Sequence, residues 1–314
     1  MIRSVLNLIS PSGRSARLSI LIFHRVMPTI DPLFPDEPDA SRFDQMMHWV
    51  KSWFNVIPLD LAISHLQSGS LPARAAAITF DDGYADNRTI ALPILQKHGL
   101  SATFFIATGF LAGGRMWNDT VIESIRGACS PLLNLEKLGL GRHSNRSLGE
   151  KRQAIAAIIN QIKYLPLDER AAVTERIALE LGVMPPDNLM MTSEQIRELH
   201  AAGMQIGAHT INHPILARID LQNAEHEIRA SKVTLEKMLG EPVSLFAYPN
   251  GKPNQDYRPE HCKIVQELGF SAAVSTGWGA ANNNSDIYQL PRFTPWDRGR
   301  TRFATRLIQN YYQR

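Results

Sequence analysis

Short apolar runs alternate with amphipathic stretches along most of this chain. Residues 18–23, 75–80, 102–107, 243–248 and 270–275 are each of strand length and mostly apolar, and a further run opens at Gln205. Such blocks suit strands buried on both faces, as in a parallel sheet. Between them lie helical patterns. Residues 41–53 place Phe43, Met46, Met47, Val50 and Phe54 at helical spacing, and Asp60 is positioned to cap a helix that runs to Gln67. Residues 87–98 contain Pro93, which predicts a kink or a late start. Thr192 with Gln195 forms a capping-box pattern for a helix ending near Gly203. Asp220 opens a long helix through Leu239, with Ile228, Val233 and Leu235 facing inward and Glu225, Glu227 and Lys232 in water. A helix over 258–268 and a basic helical tail over 300–312 complete the series. Residues 288–293 are the last strand candidate, confined by Pro291 to an edge or an end. This alternation predicts an α/β fold built on a parallel sheet or barrel. From about 113 to 186 the rhythm changes to successive helices, 120–126, 148–163 and 167–181, with Ser147 and Asp168 near two of the starts. That stretch reads as a helical insertion in a single domain spanning 1–314.

Composition narrows the class. With 314 residues, 44% of them hydrophobic, the chain can bury a large core. Net charge is only +3, a balance that argues neither for nucleic acid nor for an acidic polymer surface, and no nucleic-acid partner is expected. Cys129 and Cys262 are far apart and lack ligand spacing, so they read as small core residues in a reducing compartment. The first ten residues hold a short apolar stretch, enough for a weak surface helix, that Pro11-Ser12-Gly13-Arg14 interrupts. No secretory signal pattern follows, and no run approaches the ~18 apolar residues of a membrane span. A cytoplasmic chain without a membrane span is the expectation.

Candidate chemistry sits where the apolar runs stop. Ala77-Ile78-Thr79-Phe80 ends in Asp81-Asp82-Gly83, two adjacent carboxylates followed by a residue that permits a sharp turn. Taken alone, the pair reads equally well as a turn and helix cap. A second run, Gln205-Ile206-Gly207-Ala208, ends in His209, with His213 four residues on, a spacing that puts both imidazoles on one side of a helical turn. Two histidines and one aspartate make a three-ligand set with positions left open, the pattern of a catalytic divalent metal.

Thr79-Phe80-Asp81-Asp82-Gly83 followed by His209-Thr210-Ile211-Asn212-His213-Pro214 resembles the first two motifs of the polysaccharide deacetylases, carbohydrate esterase family four, also called the NodB-homology domain. The resemblance implies a distorted (β/α) barrel and a metal-dependent hydrolase that removes N-acetyl groups from an amino sugar in a poly- or oligosaccharide. It also implies Asp81 as the base and Asp82, His209 and His213 as ligands of a divalent ion, zinc first, with cobalt, nickel or manganese as substitutes. The family's third motif, Arg-x-Pro-Tyr-Gly, falls on Ala247-Tyr248-Pro249-Asn250-Gly251, so its Arg and Tyr are missing. The backbone N–H of Asn250 remains available as an oxyanion donor, beside Tyr248. Arg292 is a candidate for the missing Arg on its position in the chain alone. The family's acid, a His near the C-terminal end, has no counterpart after His261, whereas Ile22-Phe23-His24 has its layout at the first strand. First and last strands of a closed barrel are neighbours, which makes this chain a circularly permuted member with His24 as the acid. Trp117 is a candidate sugar platform, against the commoner packing role of a lone Trp. Two rival functions share these residues: hydrolysis of another non-peptide amide on the same fold, and a catalytically silent glycan-binding protein.

Overall fold

The computed structural model describes residues 2–313, and the chain falls into two compact units. The first gathers the residues through 30, 36–109 and those from 191 onward; the second gathers 31–35 and 110–190.

In the first unit the strands are β1 (Ser19–Phe23), β2 (Asn55–Val56), β3 (Ala75–Phe80) and β4 (Thr103–Ile106). The second unit holds β5 (Leu132–Asn134) and β6 (Arg142–Ser144), and the first resumes with β7 (Gln205–Ala208), β8 (Leu245–Ala247) and β9 (Ala272–Val274). The first unit's strands form one parallel sheet ordered β1-β3-β4-β7-β8-β9, with β2 on the first two residues of β3. Residues 287–293 carry the sheet round from β9 to β1: Leu290 N–H donates to Ala273, and Phe293 N–H donates to Ile20. Pro291 has no N–H to give, so these contacts are isolated bridges and not a regular strand. The result is a distorted (β/α) barrel. Its interior is lined by Leu18, Ile20, Ala75, Ala77, Phe105, Ala247, Val274 and Leu290, all buried. Gly207 is required by this packing, since a Cβ there would lie 2.5 Å from the Phe105 ring.

The helices of this unit are α1 (Ile2–Ile9), α2 (Ala40–Trp53), α3 (Leu59–Ser68) and α4 (Leu92–His98); α5–α7 belong to the second unit, and α8 (Ser193–Ala201), α9 (Leu221–Leu239), α10 (Pro259–Glu267) and α11 (Arg300–Asn310) complete the first. The stripe of α2 is buried throughout, and Asp39 and Asp220 cap α2 and α9. Thr192 and Gln195 form the reciprocal capping box at α8. Asp60 is not the cap of α3: that helix begins at Leu59, and Asp60 lies in its first turn. Pro93 is accommodated by a wide turn over Asn87–Ala91 that delays the α-helix to Leu92. On α9 two expectations fail. Val233 is 55% exposed, whereas Glu227 is buried. The inward stripe runs through Ala224, Glu227, Ile228, Ser231 and Leu235, so Glu227 lies on it and Val233 does not.

The second unit packs α5 (Trp117–Gly127), α6 (Leu148–Ile162) and α7 (Leu167–Glu180) around Val121, Ile125, Ile155, Ile158 and Ile177. Ser147 caps α6 in a capping box with Glu150, and Asp168 lies in the first turn of α7, which Pro166 precedes. The antiparallel pair β5–β6 was not foreseen, its three-residue strands being too short for a periodic signal. Cys262 is buried, but Cys129 is exposed, contrary to its reading as a core residue. Among the described residues no helix is long and apolar enough to cross a membrane.

Candidate active site

The parallel register brings the chemical residues to one level. Phe23 pairs with Phe80, and the Asp81 N–H donates to the Phe23 carbonyl at 3.0 Å, so His24 and Asp81 leave adjacent strands together. Ala208 pairs with Phe246, which sets His209 beside Ala247. All five motif residues therefore lie past the carboxyl ends of the strands, where a parallel sheet opens a crevice.

Asp82, His209 and His213 converge with their ligand atoms within 4.8 Å of one another. Asp82 Oδ1 is 3.4 Å from His209 Nε2 and 3.3 Å from His213 Nε2. Donors about 2.0–2.1 Å from a tetrahedral ion stand ~3.3 Å apart, so the spacing fits a shared cation. Asp82 Oδ1 is also buried without a hydrogen-bond partner, an orphaned acceptor that a cation would satisfy. His209 Nδ1 lies 2.7 Å from the Ala247 carbonyl, which fixes the proton on Nδ1 and leaves Nε2 as the donor atom. Burial on its own raises the Asp82 carboxyl, but the facing imidazoles of His213 and His209 hold it well below the ordinary carboxylate range.

The two histidines do not meet on a helical turn as their spacing suggested. Residues 209–213 form a loop in which Thr210 and His213 adopt positive φ, +65° and +51°, and Asp82 does the same at +74°. Left-handed backbone at non-glycine residues is strained and needs outside support. Glu227 supplies it. Its carboxylate accepts the N–H groups of Ile211 and Asn212 at 2.8 and 2.9 Å and the Asn212 side-chain amide at 2.8 Å. From the other side, Thr108 and Gly109 donate to the carbonyls of Thr210 and Ile211, and a Cβ on Gly109 would lie 2.8 Å from the Ile211 carbonyl oxygen. Glu227 was assigned to a solvated face; its place on the inward stripe of α9 was the signal.

Asp81 is held by Arg292 through two parallel bonds of 2.7 Å, Nη1 to Oδ1 and Nη2 to Oδ2. Both side chains are buried. The Arg292 Nε donates to the Ser275 carbonyl at 2.8 Å and Nη1 to Thr79 Oγ1 at 3.2 Å, so the guanidinium is fixed on three sides. Burial pushes the Asp81 carboxyl up, but the charge of Arg292 outweighs it, and the carboxyl stays below its usual value and ionised. Position 247, where the third motif would carry Arg, contributes only its carbonyl, to His209.

His24 is partly exposed and near enough to Asp81 and Asp82 to contribute to the lowering of both carboxyls. Its loop is fastened from below the Asp pair: Asn87 Nδ2 donates to the His24 carbonyl at 2.8 Å, and Asp86 accepts from Arg25 Nε and the Val26 N–H. Asn250 is exposed past β8 with φ +58°.

One site candidate is corrected. Tyr248 is fully buried, its ring stacked on Tyr257 at 3.8 Å and its hydroxyl donating to the Tyr288 carbonyl, so its side chain belongs to the barrel wall. Trp117 opens α5 and is half-buried against the core of the second unit, with the Arg170 guanidinium 4.5 Å from its ring centre, so packing occupies one face of the ring.

The polysaccharide deacetylase family profile matches residues 68–128 and 170–273, just over half of the chain. The chain belongs to the polysaccharide deacetylase family. As such it is a hydrolase of carbon–nitrogen bonds, an N-deacetylase. Asp81, Asp82, His209, His213 and Asn250 lie inside the matched segments; His24 and Arg292 lie outside them, and only the barrel brings them in. The deacetylase is 22% identical over 281 residues to YxkH of Bacillus subtilis strain 168, assigned to the same family, covering 89% of this chain and 71% of that one. Its fold is that of the Streptococcus pyogenes deacetylase PplD, solved with acetate (20% identity, 89% and 92% of the chains, TM-score 0.59). It is equally that of IcaB from Ammonifex degensii (18% identity, 96% and 98% of the chains, TM-score 0.60).

Proposed function

We propose that this deacetylase removes acetyl groups from N-acetylated sugar residues of a glycan, that it needs a divalent metal, zinc first, and that it is a circularly permuted member whose acid is His24. The observation that carries the reading is the buried, unpartnered Asp82 Oδ1 facing two imidazoles, one residue from a carboxylate clamped by arginine. Asp82, His209 and His213 would hold the cation, which polarises the acyl carbonyl and acidifies water at the site. Asp81 takes the water's proton. Arg292 keeps it ionised and fixes its plane, so the remaining lone pairs are held in a set orientation. The Asn250 N–H faces the developing oxyanion, a role that needs no side chain. His24 gives a proton to the leaving amine, and acetate and the free amino sugar result. The carboxylate and imidazole leave adjacent strands at the same level, which supports separate base and acid roles.

The test begins with metal. Elemental mass spectrometry should find about one divalent ion per wild-type chain and a loss in His213→Ala. Acetate release from N-acetylated oligosaccharides should then vanish in Asp82→Ala together with the metal, and vanish in Asp81→Asn with the metal retained. Equal metal loss in both Asp variants would overturn the division of roles. Turnover of small cyclic amides but of no glycan would replace the substrate assignment.

A further inference from the structure

A cavity of about 830 Å³ in the first unit is lined by Trp278, Trp296, Arg298, Arg302, Arg306 and Asp36, and holds none of the catalytic residues. Each lining segment leaves the barrel on the catalytic side. Trp278 follows β9, Trp296 follows the 287–293 segment that closes the barrel, and Asp36 follows β1. The connection to the catalytic base is one residue long: Arg292, which grips Asp81, donates its N–H to the Gly277 carbonyl at 2.8 Å, and the next ring, Phe293, lies 6.0 Å from Trp278.

The cavity is framed, not loose. The Arg306 guanidinium lies 4.9 Å from the Trp278 ring, 5.2 Å from Phe293 and 5.4 Å from Trp296, and it is tied to Asp297 at 2.7 Å. Asp297 is buried and takes Arg302 on its other oxygen at 3.0 Å. The Trp296 carbonyl is in turn held by Arg42. The two indoles are thus fixed around one cation, yet Trp278 stays 38% and Trp296 56% exposed. Most of the protein's large rings are buried, and leaving two indoles in water forgoes hydrophobic stabilisation unless a ligand covers them.

The chemistry selects the ligand. Indole faces take the C–H face of a pyranose ring, and a rim of guanidinium and carboxylate groups takes its hydroxyls. A polyanion fits less well, because Arg298 pairs with Asp36 and Arg302 and Arg306 share Asp297. The loops that carry Trp278 and Trp296 follow the same ends of the strands as Asp81 does, the face at which a polymeric substrate would enter.

We propose that Trp278 and Trp296 form a second sugar subsite that holds a pyranose ring of the glycan chain away from the ring being deacetylated. It rests on the glycan reading of the active site. The subsite makes the enzyme selective for chain length while leaving the chemical step alone.

The test uses the metal-loaded full chain and β-linked N-acetylglucosamine oligomers from dimer to hexamer, in 1,4 and 1,6 linkages. For wild type, kcat/KM for acetate release rises at least tenfold from dimer to hexamer, and the hexamer shifts the indole N–H resonances of Trp278 and Trp296 in the Asp81→Asn variant. Trp296→Ala removes the length gain and leaves dimer turnover unchanged; Trp296→Phe keeps most of the gain. Acetate release with the same length dependence in wild type and Trp296→Ala overturns the subsite and leaves the active-site reading intact. Neither binding nor acetate release for any oligomer overturns both.

Discussion

The two units treat their polar residues and their backbones differently. Among the described residues, six non-glycine positions have positive φ, and all six, Arg74, Asp82, Thr210, His213, Asn250 and Asn254, belong to the barrel unit; in the helical unit only glycines do. Three of the six are proposed ligands or an oxyanion donor, and Thr210 sits between two ligands. In the helical unit several buried polar groups are absorbed nearby, although Asp31 is held by Arg126: Asp119 accepts the Met116 N–H at the start of α5, and the Asn145 amide donates to the carbonyls of Ala128 and Ser130. In the barrel unit they reach across the chain, Arg292 to Asp81 and Glu227 to the 211–212 amides. Strained backbone propped by polar contacts marks a site built for chemistry; relaxed backbone marks one built to fold.

The contrast can be broken at several points. Arg292→Ala should do the most damage, since it leaves the Asp81 carboxylate buried and alone. A loss of about 3–5 kcal/mol in chemical denaturation, with activity lost, is expected; a loss under about 1 kcal/mol would mean that the clamp is not what holds Asp81. His24→Ala should lower kcat about 100-fold with metal content unchanged. An unchanged rate would remove His24 as the acid. Glu227→Ala should weaken metal affinity about 10–100-fold through the 210–213 loop, read by competition with a chelating dye. Glu225→Ala, on the solvated side of the same helix and paired with Arg229, is the control that should change neither metal nor rate. If both variants behave alike, Glu227 does not position the ligands.

The helical unit should respond only in stability. Ser147→Ala should cost about 1 kcal/mol at the start of α6 and leave turnover alone. Asp31 offers a pH test there. Burial raises its carboxyl, but two bonds from Arg126, 3.0 and 2.7 Å, and the Leu33 N–H bring it below the ordinary value of 3.8. A depressed carboxyl contributes stability above its unfolded value and loses it as pH falls through the folded one. The melting temperature of wild type should therefore fall more steeply below about pH 4 than that of Asp31→Asn. Parallel curves would show that the pair is neutral to folding.

How much of this was legible followed from distance along the chain. Asp81-Asp82 and His209-x-x-x-His213 are local patterns at strand ends, and strand ends are visible as the limits of apolar runs. The same locality explains the errors. Four-residue spacing suggested a helical turn for the histidines, whereas a left-handed loop does the work. Tyr248 carries the right chemistry at a plausible position, but which way a ring faces is decided by its neighbours, here Tyr257.

The sequence alone determined the α/β alternation, the family, the strand ends that bear the ligands and the helical character of 113–186, because each rests on residues a few positions apart. The tertiary structure decided that Arg292, 211 residues from Asp81, is the group that clamps its carboxylate. It also decided that residues 287–293 close the barrel beside β1, that Glu227 holds the ligand loop and that two tryptophans share one cavity. These depend on register between strands remote in sequence, and register is set by the packing of the whole sheet, which no local pattern carries.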